Sequence, residues 1–293
     1  MKTSENSNDY LLEKRLKELN PTLHRQFKDT VFCLQRILSK YRLVFPEYTD
    51  HSALHVLTVI DACNHVAGSQ IYQLNGDEIY ALLMGCYFHD VGMGITMNDF
   101  RVFSRNIDFG DYFSTHSRDD VAAIIRDFHH EYSGQFIRKY AEVFDIPSPE
   151  HVFAIIQIAR GHRRVNLMDS SEYPCDFRVS SGNTICLPFL AALIRLADEI
   201  DVTASRNPIL LYDIESLGSL NQIMEYRKVE AVKALEISEK SFVLYIDGSD
   251  RDVLEVLRPV IAKMQLTLDN CRKTVIGRTP YVITQERVIT SLL

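Results

Sequence analysis

Apolar residues recur at three- and four-residue spacing over most of the chain, a pattern typical of helices that bury one face. The second predicted helix opens at Asn20-Pro21, a favourable cap and first-turn pair, and reaches about Leu43 before Pro46. Gly92 and Gly94 end the helix that precedes them. The predicted helices cover residues 9–19, 20–43, 51–68, 77–90, 117–129, 133–144, 150–160 and 186–204.

The last third of the chain has a different pattern. Residues 229–237 and 240–247 carry β-branched side chains with some alternation, and a turn candidate lies between them, which predicts a β-hairpin. A long amphipathic helix is predicted at about 250–275, and the tail 279–293 predicts another short strand. The predicted fold is therefore mainly α, a helical bundle with a small C-terminal α+β appendage formed by a β-hairpin and a long helix.

These patterns predict N-terminal helices over 1–47, a helical bundle over 48–215 and a C-terminal α+β segment over 216–293. Two stretches without clear periodicity, 95–116 and 163–184, are predicted to be irregular or loop-like. The long C-terminal helix is a candidate for pairing with a second copy, so a homo-oligomer is a possible assembly.

Composition narrows the class of protein. The chain has 293 residues, 46% hydrophobic, and a formal net charge of −7, which argues against a general nucleic-acid surface. The six cysteines form no CxxC pair and are interpreted as reduced thiols of a cytoplasmic protein. The polar N-terminus lacks the apolar core of a signal peptide, and no apolar stretch has membrane-spanning length, so no membrane association is expected.

Histidines and aspartates lie on or at the ends of the apolar helices. His51 and His55 are four residues apart and project from one helix face. His89 and Asp90 are adjacent at a predicted helix end, where neighbouring side chains can converge from different angles. Asp198 lies on the inward stripe of a strongly apolar helix, where a carboxylate is costly unless it is paired or binds a metal.

Together these residues predict a metal site in a bundle core. Mixed imidazole and carboxylate ligands suit one or two divalent transition metals, namely Mn, Fe, Co, Ni or Zn, better than Ca, and Mg only as a less suitable choice. The segments that carry the chemistry are YTDHSALHVLTV (48–59), FHDVG (88–92), FHHEYSG (128–134), ARGHRR (159–164) and RLADEIDVTASR (195–206).

This order of histidine, His-Asp pair and late aspartate resembles the HD-domain superfamily of metal-dependent phosphohydrolases over residues 48 to about 206. The segment RLADEIDVTASR also resembles uncharacterised bacterial HD proteins that have YTDH near their start. The resemblance implies a helical bundle that binds one or two divalent metals. It implies that His55, His89, Asp90 and Asp198 are the core ligands, and that Asp90 bridges the metals if two are present.

The resemblance extends to further positions. His130 and His162 match ligands of a second metal, with His129 as the competing choice for His130. His51 is similar to the histidine that acts as an acid toward the leaving oxygen in cyclic-nucleotide phosphodiesterases. The Gly-Tyr-Pro signature of cyclic-di-GMP hydrolases is absent, and so are counterparts of the purine-selecting glutamine and aromatic clamp of cyclic-nucleotide phosphodiesterases.

The expected reaction is hydrolysis of a phosphate ester or anhydride, with a small-molecule phosphate, favoured to be a nucleotide, as substrate. Arg163, Arg164 and Arg206 are candidates to hold phosphates, because guanidinium matches phosphate oxygens bidentately. For Arg163, a solvated surface charge is an equally good interpretation. Asp201 is assigned to substrate binding, with a solvated carboxylate at a helix end as the alternative.

Two other functions use the same residues. A di-iron site of the HD type could activate oxygen, and a metal-stabilised bundle could sense nucleotides or bind a partner without turnover.

Overall fold

The chain folds into a mainly helical bundle with a small sheet near its C-terminus, which confirms the predicted fold class. A computed structural model describes residues 11–38, 53–163, 165–203 and 220–293. The helices are α1 (Leu11–Leu19), α2 (Pro21–Leu38), α3 (Ala53–Ala67), α4 (Gly76–Phe88), α5 (Met97–Phe103), α6 (Val121–Tyr140), α7 (Pro149–Gly161), α8 (Leu187–Ile200), α9 (Leu220–Ala231) and α10 (Arg251–Arg278). The strands are β1 (Phe177–Arg178), β2 (Thr184–Ile185), β3 (Val232–Ile237), β4 (Ser241–Ile246) and β5 (Arg287–Leu292).

Helix α4 is the centre of the bundle, and every one of its residues is buried. Its start is fixed by a capping box, in which the Asn75 side chain accepts from the backbone of Glu78 and the Glu78 carboxylate accepts from the backbone of Asn75. Helices α1, α2, α7 and α8 pack around it. The site residues at the end of α4 therefore lie deep in the bundle.

Helix α6 runs without interruption from Val121 to Tyr140, so the predicted break between His129 and Ser133 is wrong. The Ser133 hydroxyl donates to the carbonyl of His89, and Gly134 packs against Ile156 of α7. Tertiary contacts thus support the helix where local propensity is weak. The segment predicted to be irregular over 95–116 also contains the short helix α5.

The predicted β-hairpin is confirmed as β3 and β4, which pair antiparallel. The predicted strand in the tail is confirmed as β5, which pairs in parallel with β4 and completes a sheet of order β3-β4-β5. Within the predicted loop 163–184, β1 forms a short antiparallel ladder with β2.

Helix α10 packs along α8 and carries the C-terminal segment onto the bundle. Its residues Leu268, Cys271 and Val275 belong to the same apolar core as α4 and α8. One side of the bundle is therefore covered by this segment.

All six cysteines are free thiols, as expected from their spacing. Among the described helices, none combines the length and apolar character needed to cross a membrane.

Candidate metal centre

The first group of converging side chains is formed by His55, His89 and Asp90. His55 lies in the first described turn of α3, and the other two follow the last residue of α4. The Nε2 atoms of His55 and His89 are 3.2 Å apart, and Asp90 Oδ2 lies 3.1 Å from His89 Nε2 and 3.6 Å from His55 Nε2. These three donor atoms face one point in the bundle core.

Asp198, in the last turn of α8, brings a second carboxylate to this group. Its Oδ1 is 3.4 Å from His55 Nε2 and 3.9 Å from His89 Nε2. Burial raises the pKa of Asp198, but the hydrogen bond with His55 and the nearby His162 and His89 outweigh it, and the net effect is a pKa below the ordinary value. Asp198 is therefore an ionised carboxylate among imidazoles.

The second group is formed by Asp90, His129 and His162. The Nε2 atoms of His129 and His162 are 2.8 Å apart. Asp90 Oδ1 is 3.3 Å from His129 Nε2 and 3.7 Å from His162 Nε2. Asp90 therefore turns one oxygen toward each histidine pair, which is the arrangement of a carboxylate that bridges two ions.

The four histidines share one orientation. Each ring directs Nε2 into the centre, while Nδ1 bonds to an oxygen behind it. Because a carbonyl oxygen only accepts, Nδ1 carries the proton in the three rings that face a carbonyl, and Nε2 is then a lone-pair donor. The Nδ1 contacts are His55 with Asp201 Oδ2 at 2.6 Å, His89 with Cys86 O at 2.7 Å, His129 with Arg126 O at 2.6 Å and His162 with Ala159 O at 2.5 Å.

This donor set fits divalent metal ions. Lone pairs 2.8 Å apart repel each other unless a cation lies between them, and metal-binding histidines donate their other N–H to an oxygen in this way. Protonation of His162 is unfavourable as another way to relieve this repulsion, because burial and the nearby His89 and His129 lower the pKa of His162 well below its ordinary value. Two nitrogens about 2.1 Å from one ion lie about 3.0 Å apart when their bonds meet at a right angle, close to the observed spacings.

A close approach of two segments places Asp90 beside α6. After α4 ends, residues 91–94 form a turn of 3₁₀ helix against α6. A Cβ added to Gly92 would lie 2.1 Å from the carbonyl oxygen of His129, so only glycine permits this approach. The Gly92 amide donates to the Ser133 hydroxyl, which donates to the carbonyl of His89.

His162 is positioned by a similar approach at the end of α7. A Cβ on Gly161 would lie 2.5 Å from the Cβ of Ala191 in α8. The half-buried guanidinium of Arg195 donates to the carbonyls of Gly161 at 2.7 Å and Val165 at 2.8 Å. The turn that carries His162 is thus fixed to α8, the helix that carries Asp198.

The metal centre opens into a cleft of about 330 Å³. Its far wall comes from the C-terminal segment, through α9 and α10. Four cationic side chains on four different parts of the chain line this cleft: Arg126, Arg163, Lys228 and Lys263.

A family model described as HD-CE matches residues 45–268, about three quarters of the chain. The chain belongs to the HD-CE family. The match includes every side chain of the two groups described above, and it confirms the resemblance to HD domains. Searches of curated proteins and of solved structures found no match.

In this HD-CE protein, the structure brings together the predicted residues His55, His89, Asp90, His162 and Asp198. The structure places His129, the competing choice, in the second group, whereas His130 is in neither group. His130 Nε2 lies 3.6 Å from Glu131, and its ring centre is 6.0 Å from that of His129. Burial and His129 lower the pKa of His130 to about 2.

Asp201, which the sequence assigns to substrate binding, is only 2% exposed and is among the residues that line the cleft. Its carboxylate also contacts the outer nitrogen of His55, a position from which it can orient that ring. Arg163 does line the cleft, whereas His51, Arg164 and Arg206 lie outside the described residues. Sequence reasoning missed Arg126, Lys228 and Lys263, whose sequence neighbourhoods carry no motif.

Proposed function

We propose that this protein is a metal-dependent phosphohydrolase that cleaves a phosphate ester or anhydride of a small molecule, with a nucleotide as the favoured substrate. The observation that carries the proposal is the position of Asp90, whose two carboxylate oxygens each face a pair of histidine Nε2 atoms. Two divalent transition metals would be held side by side, one by His55, His89, Asp90 and Asp198 and the other by Asp90, His129 and His162.

Such ions, when bound, lower the pKa of a water molecule and neutralise charge on phosphate oxygens. The chain itself holds the donors in place before any substrate arrives. Asp201 keeps Nε2 of His55 turned inward, and Ser133 ties the end of α4 to α6. Arg163 and the other cations of the cleft would bind substrate oxygens.

A metal analysis combined with a phosphate-release screen tests this proposal. Protein loaded with Mn²⁺ would be offered nucleoside mono- and triphosphates, cyclic nucleotides and (p)ppGpp. We expect phosphate release from at least one of these compounds, and loss of both metal and release in His55→Ala and Asp90→Asn. His65→Ala is the matched control, because His65 is an exposed histidine on the same helix as His55.

Full metal content and undiminished phosphate release in Asp90→Asn would show that this site is wrong. Consumption of dioxygen by Fe²⁺-loaded protein, without phosphate release, would instead identify a di-iron oxygenase. Saturable nucleotide binding with no turnover across several metals would identify a sensor or interaction module.

A further inference from the structure

The charges that line the cleft beside the metal centre indicate how many phosphate groups the substrate carries. Among the described residues that line it, four are carboxylates and four are cationic. The carboxylates are Asp90, Asp198, Glu199 and Asp201, and the cations are Arg126, Arg163, Lys228 and Lys263. The charges of these described residues cancel, so two divalent ions would leave an excess of four positive charges on this part of the lining.

A single phosphate monoester carries about two negative charges near neutral pH and would neutralise only half of this excess. A second phosphate group would balance it. Because the cleft is lined by protein on several sides, its charges are screened less than those on an open surface, and the imbalance selects for a multiply charged anion.

Lys263 of α10 is held at the edge of this cleft by Glu199, the residue after the metal-facing Asp198. The Lys263 Nζ lies 2.8 Å from the Glu199 carboxylate, while about half of the Lys263 side chain remains exposed. An ammonium group has three donors, and this contact uses one of them. Lys263 therefore keeps donors for an anion in the cleft.

There is room for a second phosphate on the side of Lys263. A neighbouring cavity of about 440 Å³ shares Lys263, Arg163, Glu199 and His162 with the metal cleft and continues along α10. Three apolar side chains of the C-terminal segment also line the cleft: Val229, Leu257 and Val260. The charged and the apolar lining residues suit the phosphate and the organic parts of one molecule.

We infer that the substrate is an organic molecule with at least two phosphate groups, one at the metal centre and the next held by Lys228, Lys263 and Arg163. This inference rests on the proposed function in placing a phosphate at the metals. It adds that the C-terminal segment selects the substrate, through lysines on α9 and α10 that lie outside the metal-binding groups.

Binding of inorganic anions tests the inference without requiring turnover. Orthophosphate, pyrophosphate and tripolyphosphate would be titrated calorimetrically into Mn²⁺-loaded protein, with metal content measured on the recovered protein. The variants are Lys228→Met and Lys263→Met. The control is Lys273→Met, because Lys273 is an exposed lysine on α10 that does not line the cleft.

We expect each cleft variant to weaken pyrophosphate and tripolyphosphate binding about tenfold, the effect of one charge-assisted contact. Orthophosphate affinity and metal content would change by less than about twofold, and Lys273→Met would match the unmodified protein. The inference is overturned if tripolyphosphate binding is insensitive to both lysines, or if orthophosphate binding falls equally.

The two proposals can fail separately. If the lysine dependence is found but no ester or anhydride is hydrolysed in the phosphate-release screen, the hydrolase function fails and the ligand class stands. If phosphate is released but the lysines leave the affinities unchanged, the hydrolase function stands and the inference about two phosphates fails.

Discussion

Asp201 lies directly behind His55, with its Oδ2 atom 2.6 Å from the outer ring nitrogen Nδ1. This buried contact joins the residue after α8 to the first described turn of α3. It fixes which nitrogen of His55 carries the proton, and it makes the inward nitrogen more basic. A carboxylate that belongs to neither donor group thus orients a predicted ligand.

Substitution of Asp201 is expected to weaken metal binding while the fold remains intact. Asp201→Asn keeps an oxygen that accepts from Nδ1 but removes the charge, so we expect a loss of about tenfold in metal affinity, and about a hundredfold in Asp201→Ala. Competition with a chelator of known affinity measures both, and circular dichroism checks the fold. Unchanged affinity in Asp201→Ala would contradict the positioning role.

His129 and His130 are expected to respond differently to the same substitution. His129→Ala removes one of the two Nε2 donors beside Asp90 Oδ1, so we expect the bound metal to fall from two ions to about one per chain. His130→Ala should retain both. Elemental analysis of the two variants after loading with Mn²⁺ decides between them, and the opposite result would restore His130 as the ligand.

Helix phase explains why the sequence did not separate these two histidines. His129 lies on one buried stripe of α6 with Ile125, Tyr132 and Phe136, whereas His130 lies beside it. The predicted break near Ser133 divided that stripe, so the two histidines could not be assigned to faces. A continuous helix would have pointed to His129.

The other residues of the candidate metal centre could be predicted because their signals in the sequence are local. His89 and Asp90 follow an apolar helix and precede a glycine, and Asp198 interrupts an apolar stripe where a carboxylate needs a partner. The cationic wall could not be predicted in this way. Lys263 reaches the cleft because α10 packs on α8, and Lys228 because α9 packs on α10, contacts between distant parts of the chain.

Gly92→Ala is expected to damage both stability and metal binding. The added Cβ would lie 2.1 Å from the carbonyl oxygen of His129, so residues 91–94 must move away from α6 and carry Asp90 with them. We expect a loss of about 3 kcal/mol in the free energy of unfolding, measured by urea denaturation. Gly277→Ala is the control, because no atom lies near its added Cβ and alanine favours a helix.

A polar network away from the metal centre should govern part of the acid stability. Asp77 at the start of α4 accepts from His151 at 2.7 Å, Asn183 at 2.7 Å and Ser181 at 2.9 Å. Burial raises the pKa of Asp77, but these hydrogen bonds outweigh it and lower the pKa below the ordinary value. The ionised carboxylate therefore stabilises the folded protein.

Asp77→Asn should cost about 2 kcal/mol in the free energy of unfolding at neutral pH, because it removes charge-assisted hydrogen bonds in a buried site. A group with a lowered pKa contributes its full stability above its unfolded-state pKa and loses it as the pH falls through the folded-state pKa. The difference between the two proteins should therefore be constant from about pH 8 to 5 and shrink only below about pH 4. Urea denaturation across this range measures it, and a difference that shrinks already between pH 8 and 6 would contradict the assignment to the Asp77 carboxylate.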